Sequence, residues 1–327
     1  MADMVDWGLA VSTATRLVRS GPEVSPEEAR EAVAELRRHA ADAEAHVREF
    51  TGMGSPSGGT PVLVVDRPGW IKANVAGFRT LITPLTERMQ ARRSDLPGGA
   101  ALGVVGGKVT GLEVGMLLAF MSSRVLGQYE TFAPAEIPAD LSGLDQARPT
   151  PPGRLLLVAP NIVQVERELE VEPHDFRLWV CLHEETHRTQ FTAVPWLRDH
   201  IEGEIQSFLA ETDVDPATLF ERLREAVGSL SGGSGGWTGS DEEGGGLGGS
   251  LIDVVQTPAQ RAVLGRLTAV MSLLEGHADV VMDGVGPQVV PSVEEIREKF
   301  QQRRARGAGR MDQLLRRLLG LDAKLRQ

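Results

Sequence analysis

Cys181 is the single cysteine of this 327-residue chain, so no disulfide can form within it. That fits a reducing compartment, and the cytoplasm is the expected location. Tyrosine is as scarce: Tyr129 stands alone. There is no basic excess. Lys and Arg number 34 against 45 Asp and Glu, giving a net charge of -11 and a pI near 5.2. A nucleic-acid partner needs a basic footprint, so that class is disfavoured. No run of about 18 uncharged apolar residues occurs. The nearest, Val109–Ser123, is shorter and contains Glu113, which reads as a buried core helix, so no membrane partner is expected. The first residues carry Asp3 and Asp6 where a signal peptide would be basic. No G-x-S-x-G stands as an elbow between a strand and a helix, and there is no G-x-x-x-x-G-K-[ST] and no G-x-G-x-x-G after a strand. Serine-triad catalysis and phosphate cradling therefore have no support.

What remains is rich in helix formers, with 41% hydrophobic residues and so enough for a sizeable core. The pattern predicts a mainly α fold with a small β-sheet. A helix is expected over Pro26–Phe50 with Ser25 as its N-cap. A strand is expected at Pro61–Asp66, a helix at Gly69–Arg92, and a strand at Arg154–Val158. Gly103, Gly107, Gly111 and Gly115 recur every four residues, a smooth stripe that lets another helix approach closely. Pro173 opens a helix, and others follow over Pro195–Glu211 and Ala259–Asp283. The proline-rich Arg148–Gly153 suggests a lobe boundary. The expected organisation is an N-terminal helical lobe (1–150), a metal-binding lobe (151–290) and a C-terminal helical segment (291–327), together one compact unit. Ser231–Ser250 is half glycine and reads as a disordered insertion; the sharper alternative is a lid whose Trp237 meets substrate. The last segment, with Arg303, Arg304, Arg306, Arg310, Arg316 and Arg317, reads as an amphipathic helix with a solvated face; docking of a protein partner or an anionic surface is the sharper alternative.

The chemistry concentrates in Cys181–Phe191, CLHEETHRTQF. His183 and His187 lie four apart, hence one helical turn apart on one face, where two imidazoles can converge on one zinc ion. Glu184 follows the first histidine and can reach a water there. This is the H-E-x-x-H pattern of zinc metallopeptidases, in which zinc acidifies water and the glutamate takes the proton. A satisfied hydrogen-bond network among buried side chains is the blander reading. The metzincin continuation is absent, since Gln190 and Ala193 occupy its glycine and third-histidine positions. A third ligand must come from elsewhere.

The best source is Leu273–Gly286, LLEGHADVVMDGVG, where Glu275 and Asp279 are again one turn apart. This E-x-x-x-D resembles the second motif of gluzincins, the thermolysin-like zinc peptidases. By that resemblance Glu275 is the third zinc ligand, and Asp279 accepts the outer N–H of His183. His277 competes for the ligand role, or donates to a developing oxyanion, or simply packs. Tyr129 is a second oxyanion candidate, although a lone tyrosine more often sits in the core or at a rim. His39, His46, His174 and His200 have no ligand-like spacing and read as structural or surface residues.

Across most of its length the chain also resembles an actinobacterial zincin-like family. The matching segments are VDWGLA, VDRPGWIKANVAGF, VLGQYETF, LLLVAPNI, HEETHRTQF with VPWLRDH, LLEGHADVVMD and the MDQLLRRLLGLDAKLRQ tail. The resemblance implies a zincin-like metallopeptidase architecture and hydrolase activity. One branch with this kind of N-terminus is labelled as associated with coenzyme F420 biosynthesis through genomic co-occurrence. The leading expectation is a zinc-dependent hydrolase of peptides or small molecules. The alternative is a zinc-containing scaffold with little turnover. In zincins a strand near the metal helix lines the substrate cleft, and Leu155–Val158 is the expected candidate.

Overall fold

The computed structural model describes residues 5–54, 61–93, 99–132, 153–210 and 258–306. The Arg148–Pro152 connector, the glycine-rich segment and the tail beyond Arg306 lie outside the described residues.

Helix α1 (Trp7–Leu17) starts at Asp6, whose carboxylate accepts from Leu9 N at 2.9 Å. Helix α2 (Pro26–Thr51) carries the capping box foreseen in part. Ser25 Oγ accepts from Glu28 N, and Glu28 reaches back to Ser25 N, so two orphan donors are satisfied reciprocally. The helix ends at Gly52 with φ 65°, a left-handed cap that costs glycine little. Then come β1 (Val62–Val65), α3 (Arg67–Arg93), α4 (Gly99–Ser122), β2 (Gly127–Glu130), β3 (Arg154–Val158), α5 (Ala159–Leu169) and α6 (Pro173–Ala193). Helices α7 (Pro195–Ala210), α8 (Pro258–Val285) and α9 (Val293–Arg306) complete the described elements.

The fold is thus mainly helical with a three-stranded sheet of order β1-β3-β2. Strand β3 is central. It runs parallel to β1, with Val62 opposite Leu155, and antiparallel to β2, with Gly127 opposite Leu157. Leu155, Leu156 and Leu157 are fully buried, and each such leucine contributes about 1.5–3 kcal/mol relative to exposure. A buried pair closes one end: Arg154 Nε donates to Glu130 Oε2 at 2.6 Å, and Arg154 Nη2 donates to Ala73 O.

Leu155–Val158 therefore lies in the middle of the described sheet and not at its edge. With a strand on each side, β3 has both edges engaged. Both β2 and β3 pack against α6, and of the two β2 stands at the end of the described sheet. Its residues alternate as a strand must. Gly127 and Tyr129 face α6, meeting Glu184 and stacking on Phe191. Gln128 faces the other way, donating to Asn74 and accepting from Trp70 Nε1.

The part of the glycine stripe whose packing is described, Gly111 and Gly115, does what its spacing suggests; the packing of Gly103 and Gly107 lies outside the description. A Cβ at Gly111 would stand 2.6 Å from Asp6 O, and one at Gly115 would stand 2.7 Å from Ala10 O. Helix α1 therefore lies almost backbone to backbone on α4. Beside it Trp70, Ile71, Leu118, Leu156 and Val158 form a buried cluster. Helix α2 packs along α6 and buries Leu36, Ala40, Ala43 and Val47, and Arg188 Nη2 donates to Glu44 Oε2 at 2.8 Å between the two helices.

The chain divides into two compact units, one of residues 1–200 and 272–298, the other of 201–271 and 299–327. In the second, Arg266 grips Glu204 with two nitrogens. The first holds every residue of the candidate site. Among the described residues no helix is long and apolar enough to cross a membrane.

Candidate metal centre

Helix α6 begins with Glu172, whose side chain accepts from Asp175 N at 2.8 Å, and Pro173 fills the first turn, where no N–H is needed. Its core face is dense: Phe176, Trp179, Val180, Cys181 and Leu182 are buried. Burial pushes the Cys181 thiol far up, with Glu184 and Glu185 nearby adding to the effect, so this cysteine is an inert core residue. Glu185 is 1% exposed and pairs with Arg188; burial raises its pKa to about 7 against that partner's pull.

One face of the helix is polar, and there the motif converges. His183 Nε2 and His187 Nε2 are 3.2 Å apart. From α8, Glu275 Oε1 approaches His187 Nε2 to 3.4 Å and Glu275 Oε2 approaches His183 Nε2 to 3.8 Å. These three side chains form one of the groups able to hold a metal ion. Glu275 is half exposed, so the group opens to solvent.

The hydrogen bonds fix which nitrogen faces the group. Gln190 lies one turn beyond His187, and its Oε1 is 3.0 Å from His187 Nδ1. An amide oxygen only accepts, so Nδ1 donates and Nε2 is left as a lone pair. The same amide donates through Nε2 to Leu274 O and to His277 Nδ1, both at 2.9 Å. His183 Nδ1 lies 3.3 Å from Met282 Sδ, a weak acceptor. Two imidazole lone pairs and a carboxylate thus point at one spot, an arrangement that calls for a cation or a proton between them. Burial opposes protonation of His187, but Glu275 and Glu184 outweigh it and raise its pKa. A tetrahedral ion with ligand bonds of about 2.0–2.1 Å holds its donors about 3.3–3.4 Å apart. The observed 3.2, 3.4 and 3.8 Å bracket that spacing, so the residues fit zinc.

Glu184 is 6% exposed and packs on the backbone of β2: a Cβ at Gly127 would come within 2.5 Å of its Cγ and 2.9 Å of its Oε1. Burial raises its pKa to about 7, with His187 pulling it down and Glu275 pushing it up. A cation in the group would draw it back towards the ionised form.

His277 is tied to Gln190 through Nδ1, which accepts there and leaves the proton on Nε2. The Asp279 carboxylate lies 3.8 Å from Arg297 Nη2, and Arg297 also pairs with Asp283. It is Met282 that stands at His183 Nδ1. Tyr129 stacks on Phe191 with ring centroids 5.6 Å apart, and its hydroxyl lies against the backbone of Gly153. Burial raises its pKa, against Arg188 and Arg198.

Two positions at the candidate site escape a reading of the sequence. Gln190 was visible only as a departure from the metzincin pattern, yet its spacing of three from His187 puts it on the same face. Gly127 gives no local signal at all, because its role is set by a neighbour on another element.

Compared with known proteins, the chain matches the zincin-like metallopeptidase family over residues 5–327. The chain belongs to that family. A solved structure from Chloroflexus aurantiacus, described as a candidate hydrolase with a novel fold, superposes on this zincin-like protein with a TM-score of 0.62. The two are 29% identical, over 99% of this chain and 83% of the other. No curated protein matches. Membership implies zinc as the metal, and two imidazoles with one carboxylate are donors that zinc prefers.

Proposed function

We propose that this zincin-like protein is a zinc-dependent hydrolase that cleaves peptide bonds, with His183, His187 and Glu275 as the residues that would hold zinc. The observation that carries the reading is the convergence of those three side chains beside a buried carboxylate, Glu184, that is not one of them. A purely structural site needs no such carboxylate, which favours the hydrolase over the scaffold. The hydrolase description of the Chloroflexus aurantiacus structure supports the same reading.

When bound, zinc supplies Lewis acidity, which acidifies water and polarises a carbonyl. The protein's own residues then divide the work. Gln190 fixes the His187 tautomer and keeps its Nε2 aimed inward. Glu184, ionised beside a cation, takes a proton from water on its carboxylate and later returns it to the leaving amine. The wall of Gly127 keeps that carboxylate from swinging away, since no side chain intervenes. Strand β2 at the end of the described sheet offers an extended substrate a partner to lie along. His277 Nε2–H and Tyr129 remain the donors proposed for the developing oxyanion.

The test is Glu184→Gln, made in protein purified without tag or chelator. Zinc content should stay at that of wild type while cleavage of a mixed peptide library falls by about 10³-fold or more. Full activity in Glu184→Gln would overturn the mechanism.

A further inference from the structure

A second group of the same composition lies elsewhere in the first unit. Glu35 and His39 sit one turn apart on α2, and His174 comes from the first turn of α6. The group offers two imidazoles and one carboxylate with ligand atoms close enough to share an ion. His174 is nine residues before His183 on one helix, so the two groups are about 13 Å apart along its axis.

His39 is the decisive residue. It is 4% exposed, and neither ring nitrogen makes a hydrogen bond, although both are sealed from solvent. Nε2 stands 3.4 Å from Glu35 Oε1, and Nδ1 stands 4.0 Å from Asp42 Oδ2. Buried polar atoms are almost always satisfied, so a ring left in this state points to a missing partner. The ring of His174 meets it edge to face, with centroids 4.6 Å apart. His174 is 57% exposed and gives an ion a way in. Glu35 gives Oε2 to Arg177, which leaves Oε1 facing His39. Arg177 is also held by both oxygens of Glu166, so its charge is already matched. Burial, and then His174, lower the pKa of His39 against the pull of Glu35 and Asp42. The start of α6 carries partial positive charge, which Asp175 and Glu172 offset.

We propose that Glu35, His39 and His174 form a second site for a zinc-class divalent ion, which clamps α2 to the start of α6. Two nitrogens and one carboxylate oxygen suit zinc, and the exposed side leaves room for water as a fourth ligand. The role is structural: the buried carboxylates beside it are already engaged, Asp175 by Ser292 and Glu166 by Arg177. Sequence spacing could not show it, because Glu35 and His39 look like an ordinary charged helix face and His174 is distant in the chain.

The test is zinc analysis on untagged protein, with crystals of the same protein measured at the zinc absorption edge. Wild type should hold about two ions per chain, and His174→Ala about one, with peptide cleavage unchanged. Glu275→Ala, which disables the first group, should still gain thermal stability on zinc addition, and that gain should vanish when His174→Ala is added. Anomalous density should lie between Glu35, His39 and His174. One ion in wild type that His174→Ala keeps and Glu275→Ala loses would overturn the second site and leave the hydrolase reading standing. Absence of any ion from the first group would sink the hydrolase reading while density at His39 upheld this one.

Discussion

Replacing Gln190 by alanine removes three hydrogen bonds in one step: from His187 Nδ1 at 3.0 Å, and to Leu274 O and His277 Nδ1 at 2.9 Å. The loss at His187 frees the ring to rotate and to place its proton on either nitrogen. Losses of this kind cost about 10–100-fold in metal affinity, which is about 1.4–2.8 kcal/mol. The loss at Leu274 removes a second hydrogen bond to a carbonyl that the helix already engages and costs about 0.5–1.5 kcal/mol of folding stability whether or not metal is present. The two effects separate in a second variant. Gln190→Glu keeps an oxygen for His187 but brings a carboxylate against Leu274 O. It should bind zinc within a few-fold of wild type and yet unfold at lower urea. Zinc competition against a chromophoric chelator reads the first effect, and urea unfolding of zinc-free protein reads the second. If Gln190→Ala is folded and binds zinc as tightly as wild type, the orienting role of this amide is refuted.

Gly127→Ala should keep its zinc and lose catalysis, because the new methyl must push Glu184 aside by about 1 Å, a displacement that can cost about 10²-fold; parallel zinc and peptidase assays check it. Glu130→Ala strands the guanidinium of Arg154, which is 2% exposed, and should lower stability by about 3–5 kcal/mol in denaturant titration. Gly115→Ala forces a methyl against Ala10 O and Thr13 and should cost about 1–3 kcal/mol by the same measurement. Glu28 has its pKa lowered by the backbone and side chain of Ser25, so its contribution to stability is present above the ordinary value of 4.5 and is lost as pH falls through the lowered one. Glu28→Gln should therefore show a shallower loss of thermal stability over that acid window.

Helices were legible where period and caps agreed. Ser25 with Glu28, Pro173 in a first turn, and glycines every four residues each state a local rule that the fold obeys. The two histidines of α6 were legible for the same reason, since one helical turn is fixed geometry. What local rules could not carry was partnership across the chain. Leu155–Val158 reads as a strand from its own residues, but its central place depends on β1 and β2. The facing of Gly127 and Glu184 depends on register between a strand and a helix. Met282 at His183, and Arg297 beside Asp279, depend on how α8 is rotated about its axis, which a stripe of carboxylates does not determine. Among histidines, spacing served well within one helix and failed for His39 and His174, which meet only because α2 lies along α6.

The first unit is discontinuous, and this gives its assembly an order in time. During synthesis β1 emerges first with nothing to pair with, because Leu155, the partner of Val62, is made far later. Helix α6 follows with both histidines in place. It must then wait through the whole of residues 201–271 before Glu275 and Leu274 exist. A nascent chain cut anywhere in that interval can chelate with two imidazoles, but it has no carboxylate for the ion and no carbonyl for Gln190. Under the proposed zinc site, firm capture of metal would then mark the moment when residues 272–298 have joined residues 1–200.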